Sequence, residues 1–439
     1  MLRKTFQGGV HPADGKEFAR NIPYRVYLPK GDLVFPLNQH IGKPARPVVQ
    51  KGDLVLTGQL LAEADGFVSA NIVSSCSGKV KAVENRKTVA GPSVPCIVVE
   101  NDGNYTLAEG IGTENDATNL TSQEILEKIK AAGIIGLGGA GFPTHVKLAP
   151  KNPQEIEYVI ANGAECEPYI TCDDQLMRTK GSEIVEGLKI MLRLFPNAEG
   201  VILIEENKPE AIKAMEQACA GQEKIHVWAV HTKYPQGGER SVISVIAGKH
   251  LKLGMLPADA GCVVDNVDTI VAVYHAVAEG KPLMNRIVTV TGDAVNDPRN
   301  FYVRIGMNYH DLIEEAGSFK TEPEKVVSGG PMMGFALFDL NVPTTKTASA
   351  LLCLTKDEVS ALAPSPCINC GRCVDACPGR IVPRKLAVLA EHGDEEAFLA
   401  NDGMECCECG CCSFICPAKR QLTQSIKSMR KTVLANRKK

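Results

Sequence analysis

Two copies of one cysteine pattern near the carboxyl end constrain this chain more than any other feature. CINCGRCVDACP and CCECGCCSFICP each read C-x2-C-x2-C-x3-C-P: Cys367, Cys370, Cys373 and Cys377 before Pro378, then Cys406, Cys409, Cys412 and Cys416 before Pro417. Three thiolates spaced two residues apart wrap one face of a cubane, and the remote fourth cysteine ligates the other cluster in two-cluster arrangements. The spacing therefore predicts one [4Fe–4S] cluster on Cys367, Cys370, Cys373 and Cys416, and a second on Cys406, Cys409, Cys412 and Cys377. Zinc, the competing use of such cysteines, typically takes two well-separated C-x2-4-C pairs, which the duplicated run with its prolines does not resemble. Cys407 and Cys411 fit neither register and read as bystanders.

Ten of the 17 cysteines lie between Cys367 and Cys416. In a large chain without an export signal that argues for metal ligation and against a disulfide framework. With 439 residues there is room for about three domains. A formal charge of −3 with interspersed signs gives no field that favours nucleic acid. The start, MLRKTFQGGVHPADGKEFAR, has no apolar run behind its basic residues, and nowhere do ~18 consecutive apolar residues occur. These features predict a soluble intracellular chain, able to dock on a membrane complex.

Residues 24 to 100 read as β-structure, with short runs such as YRVYL, GKVKAVE and CIVVE between Gly, Pro and Asp. The phrase VVQKGDLVLTGQLLAEADGFVSANIVSSCSGKVKAVE resembles the barrel-sandwich hybrid of biotinyl and lipoyl carriers, but the turn that would offer a modifiable lysine reads Asp65-Gly66-Phe67. A packing or docking role without a swinging arm follows. From 121 the pattern changes to SQEILEKIKAAG, a capped helix. Strands at IEYVIANG, VILIEE and KIHVWAV then alternate with two helices, which implies a parallel sheet. A helix near VDTIVAVYHAVAEG follows, then two strands around a turn and a further helix in RIVTVTGDAVNDPRNFYVRIGMNYHDLIEEAG, which resembles a soluble-ligand-binding β-grasp (SLBB) module. ALAPSP, at 361–366, marks the last boundary, and two short helices are expected between the cysteine motifs.

IIGLGGAGFPTHVKL carries G-x-G-x-x-G at Gly136, Gly138 and Gly141. A dinucleotide fingerprint needs a strand before the loop and a helix opening at its third glycine. Here a helix precedes it and Pro143 follows, so the loop reads as a phosphate cradle of another kind, with Lys147 as a point charge. Each predicted strand ends in polar residues: Asn162, Glu165 and Glu167 after the first, Glu206-Asn207-Lys208 after the second, Tyr234 and Glu239 after the third. Ligands of open parallel sheets bind beyond such ends.

GLGGAGFPTHVKL, NGAECEPYITCDDQLM, YPQGGERSVI and DNVDTIVAV together resemble the flavin-mononucleotide and NADH site of the complex I flavin subunit. With the leading GGVHPADGK and PLNQHIGKP, the barrel-sandwich stretch, the β-grasp and the paired cluster motifs in this order, nearly the whole chain is more similar still to the RnfC family of Rnf electron-transport complexes. The resemblance implies a multidomain α/β and α+β architecture: an amino-terminal barrel-sandwich-like domain (1–115), an FMN/NADH-binding α/β domain (120–280), an SLBB β-grasp (281–350) and a helical two-cluster ferredoxin-type domain with a basic tail (360–439). It implies that Gly136, Gly138, Gly139, Ala140 and Gly141 wrap the flavin phosphate and ribityl with Lys147 nearby. It further implies that Asn162, Asn266 and Thr269 bind the flavin, and that Phe142, Glu165, Glu167, Tyr234 and Glu239 face the nicotinamide nucleotide. Ala164 stands where the complex I subunit usually has an acid.

The implied function is that of a peripheral subunit on the cytoplasmic side of the cell membrane. It would exchange hydride between NAD(H) and FMN, pass single electrons through two clusters, and work with the other subunits of a complex that couples ferredoxin and NAD to sodium or proton translocation. No acid–base residue is required. The alternatives are a microcompartment-type cobalamin reductase and a cluster relay or docking subunit with a vestigial nucleotide site. The tail KRQLTQSIKSMRKTVLANRKK, with eight Lys/Arg and no acid, reads either as a solvated helix or as an attachment to anionic lipid or an acidic partner.

Overall fold

A computed structural model describes residues 5–437. Residues 1–4 of the expected amino-terminal domain, and Lys438 and Lys439 of the tail, lie outside the described residues. At the centre, α1 (Ser122–Ala131) starts with a capping box: the Thr121 hydroxyl accepts from the Glu124 amide while the Glu124 carboxylate accepts from the Thr121 amide. Its Ile125 and Ile129 are fully buried, each stabilising by about 1.5–3 kcal/mol.

After α1 the chain forms β1 (Tyr158–Gly163), α2 (Cys172–Thr179), α3 (Gly181–Leu192), β2 (Glu199–Glu205), α4 (Pro209–Ala218), β3 (Ile225–Val230), α5 (Glu239–Ala247), β4 (Cys262–Asn266) and α6 (Val267–Ala278). The strands pair in parallel in the order β3-β2-β1-β4. Winding runs outward from β1 to β3, then returns to lay β4 on the other side of β1, so its direction reverses between β1 and β4. Strand alternation feeds two cores. Val159, Ala161, Ile202 and Ile204 pack with α3 and α6, whereas Ile160, Val201 and Leu203 pack with α5 and with Phe6 from the amino terminus. The expectation of three strands and two helices, with a further helix near VDTIVAVYHAVAEG, omitted α2, α5 and β4. β4 runs into α6 with no turn residue to separate them.

Four strands (Leu33–Pro36, Ser93–Asn101, Gly78–Lys87, Leu54–Val55) face three (Arg46–Pro47, Leu60–Glu63, Ile72–Val73) in the amino-terminal domain, around Leu33, Phe35, Leu61, Ile72, Ile97 and Val99. YRVYL departs from its expected place there: Arg25–Val26 pairs in parallel with Arg299–Arg304 at the edge of the six-stranded β-grasp sheet. In the carboxyl-terminal domain the two expected helices are Pro383–Glu391 and Glu395–Ala400. The basic tail is no free arm, because Leu422–Asn436 is a helix whose Ile426, Met429 and Val433 are buried in this domain's core. Three of its cations are matched internally: Arg420 to Glu391 at 2.8 Å, Lys427 to Glu408 at 3.4 Å, and Arg430 to Glu408.

Three domains meet on one lysine. Lys346, from the β-grasp, is 1% exposed and donates to the carbonyls of Asn71 (2.5 Å) and Gly133 (2.7 Å). Burial lowers its pKa from 10.5 to about 7. Between those values the unfolded chain binds a proton that the folded chain has released, so stability rises with pH through that window and is flat below it. Lys346→Met should abolish this rise, which is at most about 1.4 kcal/mol per pH unit. Thermal unfolding of both proteins at pH 7, 8 and 9 checks it, and parallel pH profiles would count against the assignment.

Candidate functional site

The reversal of winding places Asn162, at the end of β1, directly beside Asn266, at the end of β4. Such switch points are where open parallel sheets bind ligands. Asn162 Nδ2 donates to the Gly237 carbonyl at 2.8 Å, and Asn266 Nδ2 to Asp173 Oδ2 at 2.7 Å, while Asn266 Oδ1 caps α6 through the Asp268 amide. Burial and the neighbouring Glu165 push the Asp173 carboxyl up to about 7.

The glycine loop closes on itself above this pair. Ile135 bridges Pro143, and the Gly136 amide donates to the Phe142 carbonyl at 2.8 Å. The Leu137 amide donates to Thr269 Oγ1 at 2.9 Å, and the Leu137 carbonyl accepts from the buried Arg286, which also pairs with Asp268. Gly141 has φ +73°, and its carbonyl accepts from the Ile41 amide of the amino-terminal domain at 3.1 Å. What stays open is the tip, Gly138, Gly139 and Ala140, all exposed. A Cβ on Gly138 would lie 2.7 Å from Asn266 Cβ, whereas one on Gly139 would meet nothing. This cradle of backbone at the amino end of α6 fits the phosphate of a flavin mononucleotide, since exposed amides and the helix dipole both favour an anion there.

Several expected contacts are otherwise engaged. Lys147 donates to the Val264 carbonyl at 2.7 Å and pairs with the buried Asp265 at 3.2 Å and Glu239 at 3.8 Å, so it is not a free point charge. Thr269 is fully buried beneath the loop and holds it in place of a flavin. Glu165 turns inward, accepting from the first-turn amides of Asp173 (2.6 Å) and Asp174 (3.4 Å) in α2 and pairing with Lys16 at 3.6 Å. Glu167 accepts from the Met332 (2.7 Å) and Met333 (2.9 Å) amides of the β-grasp. Tyr234 is buried, and its hydroxyl donates to the Cys409 carbonyl at 2.8 Å. Glu239 remains exposed and Phe142 half-buried. Sequence reasoning passed over Arg286, Asp173, Asp265 and Lys16, since single charges inside otherwise ordinary segments give no periodic signal.

The eight motif cysteines gather around two cavities. Cys367, Cys370, Cys373 and Cys416 line one. Cys377, Cys406, Cys409 and Cys412 line the other, together with Cys407 and Cys411. Thiolate sets of this kind, closed by one cysteine from the other motif, fit cubane clusters. Cys367 and Cys370 are exposed, whereas Cys409 and Cys412 are buried. The second cavity adjoins the loop after β3, a nucleotide loop distinct from the glycine loop in that its Gly237 carbonyl accepts from Asn162: Tyr234 touches the cavity through Cys409, and the Gly237 amide donates to Cys166 Sγ at 3.2 Å, with Cys166 packed on the same small core.

Comparison with known proteins agrees with this arrangement. Residues 4–104 match the RnfC barrel sandwich hybrid domain, 129–275 the Nuo51 FMN-binding domain, and 287–336 the SLBB domain. A subunit of the proton-translocating ferredoxin:NAD(+) oxidoreductase complex of Clostridium ljungdahlii is 45% identical, over 89% of this chain and 85% of that one. The corresponding subunit of the Na(+)-translocating ferredoxin:NAD(+) oxidoreductase complex of Acetobacterium woodii is 41% identical, over 99% and 98%. An NAD+-reducing [NiFe]-hydrogenase in its air-oxidized state shares the fold, with a TM-score of 0.50 and 17% identity, over 75% of this chain and 67% of that one.

Gly138→Ala tests the cradle. Its new methyl must displace Asn266, and flavin-mononucleotide affinity should fall by on the order of tenfold, about 1.4 kcal/mol. Fluorescence titration reads this directly, with Gly139→Ala expected to bind as the parent does. Equal affinity of Gly138→Ala and the parent would remove Asn266 from the site.

Proposed function

The chain belongs to the RnfC family, whose members are subunits of ion-translocating ferredoxin:NAD(+) oxidoreductase complexes, and from that membership we propose that it is the NADH-reactive subunit of such a complex. The observation that carries the reading is the direct bonding of the nucleotide loop to the second cysteine cavity, through Tyr234 and the Cys409 carbonyl. When bound, FMN takes the two electrons of a hydride from NADH and gives them up singly, which matches a two-electron donor to iron–sulfur acceptors.

The chain's own residues supply position and surroundings. The open amides at 138–140 and the amino end of α6 would hold the phosphate, and Asn162 and Asn266 would border the flavin at the sheet ends. Phe142 and Glu239 border the nicotinamide side, and no side chain need act as acid or base. Backbone and buried side chains from three domains exclude water from the join. The thiolates of Cys406, Cys409, Cys412 and Cys377 hold the cluster nearer the flavin. Those of Cys367, Cys370, Cys373 and Cys416 hold the one nearer the surface, where electrons leave for or arrive from the other subunits and, through them, ferredoxin. No helix among the described residues is long and apolar enough to cross a membrane. From its relatives, named as subunits of ion-translocating complexes, the proposed location is peripheral, on the cytoplasmic face, with sodium or proton movement left to partner subunits. The cobalamin-reductase alternative is set aside, because the relatives that match along the chain are named for ferredoxin and NAD(+).

Anaerobic reconstitution with quantified flavin and iron, followed by NADH titration, tests the proposal. About one flavin per chain and bleaching of flavin and cluster absorbance are expected; clusters without flavin or bleaching would favour a relay. Cys377→Ser and Cys416→Ser should each lose about half the iron. In Cys377→Ser, NADH should still bleach the flavin while the surviving cluster stays oxidised. In Cys416→Ser the surviving cluster should be reduced. The reverse pattern would exchange the two clusters' places.

A further inference from the structure

The amino-terminal stretch GGVHPADGK, residues 8–16, contributes nothing to either cofactor cradle, yet both of its ends are bonded into the core of the molecule. Gly8 and Gly9 both have φ +84°, a conformation that favours glycine. A Cβ on Gly8 would lie 2.9 Å from the backbone carbon and oxygen of Cys377, and one on Gly9 2.6 Å from the Tyr234 carbonyl oxygen. The Gly9 amide donates to the Ala376 carbonyl at 2.8 Å. Val10, 3% exposed, then bridges Tyr234 in antiparallel fashion, with bonds of 2.8 and 2.9 Å. Further on, the Asp14 carbonyl accepts from the Tyr169 amide at 2.6 Å, and Gly15 lies against the Tyr169 ring. Lys16, 2% exposed, donates to the Ile170 and Glu167 carbonyls and pairs with Glu165.

The segment thus runs from the backbone of Cys377, across the loop carrying Tyr234, to the start of α2. Tyr234 in turn holds the Cys409 carbonyl. Both cysteine motifs that close the second cavity are therefore tied to the nucleotide loop, one through Gly9 and the other through Tyr234. We propose that residues 8–10 are a positioning strap that fixes the second cluster at its transfer distance from the flavin. This rests on the hydride-to-cluster reading above and adds an element that touches neither cofactor. Each transfer moves one electron from the reduced flavin to an oxidised cluster. Two transfers return the flavin to its oxidised state and release to solvent the one proton that arrived with the hydride. Because electron transfer falls steeply with distance, the strap governs this step and leaves the preceding hydride step alone.

Gly8→Ala forces the strap off Cys377, and Val10→Pro removes the amide that donates to Tyr234; the two act at opposite ends. Both are made in the full chain, reconstituted with iron, sulfide and FMN. Stopped-flow mixing with NADH should give flavin bleaching at the parent rate, with cluster reduction slowed by on the order of 100-fold. Hydrogen exchange of the reconstituted chains supplies a second readout: the amides of Ala376 and Cys377 and those at 231–234, 236 and 237 should exchange faster in both variants, with the glycine loop at 134–142 unchanged. Parent-like cluster reduction in either variant overturns the strap, as does equal slowing of both phases or faster exchange of the glycine loop. A parent protein whose flavin does not bleach with NADH overturns the functional reading and the strap with it. Bleaching and transfer in the parent together with unaffected variants overturns the strap alone.

Discussion

The site depends on one register, the parallel pairing of β1 with β4 that sets Asn162 beside Asn266. Everything above it is built to that spacing. Gly138 has no side chain because Asn266 occupies the space, and Leu137 reaches Thr269 because α6 begins at once where β4 ends. Arg286 crosses from the β-grasp to bind both the loop carbonyl and the first turn of α6. A slip of β4 by one residue would turn Asp265 to the position of Asn266 and reverse which side chains meet each core. Local loop chemistry thus follows from sheet topology.

Buried lysine and arginine side chains hold the domains to one another. Lys16, Lys208, Arg286 and Lys346 are all nearly or fully buried, and each donates to main-chain carbonyls. Lys208 bonds the Ala164 carbonyl at 2.6 Å and Glu205 at 3.1 Å. Lys16, Arg286 and Lys346 each find their partners in another domain or segment. A buried charge is costly unless fully bonded, so any arrangement that separates these domains leaves a donor without its acceptors. Such contacts add little net stability, but they penalise every other arrangement. For a chain that moves electrons between centres in different domains, fixed geometry is the property that matters.

Features carried by local pattern were legible in the sequence: the duplicated cysteine spacing, the capped helix before the glycines, the alternation of strand and helix, and the helices between the cysteine motifs. Features that depend on distant partners were not. Arg25–Val26 reads as a strand, but nothing in YRVYL says that it joins a sheet whose other strands begin at Asn285. β4 is only five residues long and has no break before α6. The tail's charge run left a solvated helix or an attachment to lipid or an acidic partner open, and it hid that Ile426, Met429 and Val433 are buried in the domain's own core. The recurrence of acids and an aromatic ring at the strand ends was read as a ligand-binding face, and several of those residues instead close joins between segments. It could not separate residues that line the groove from those that close the joins.

That separation bears on how the groove handles charge. Glu165 and Glu167 are spent on backbone amides, and Lys147 is held between Asp265 and Glu239. With both acids ionised this triad carries a net negative charge, so it cannot be the source of attraction for a phosphate dianion in the adjacent loop. What remains is the amino end of α6 and the open amides of Gly138, Gly139 and Ala140. Their dipoles are fixed by the fold and need no counter-ion. A cradle made of backbone also keeps a mobile cation away from the ring, so the charge around the flavin is set by groups that do not move when its redox state changes. Lys147 then has a different use, which is to neutralise Asp265 at the end of β4, next to the Asn266 on which the register depends.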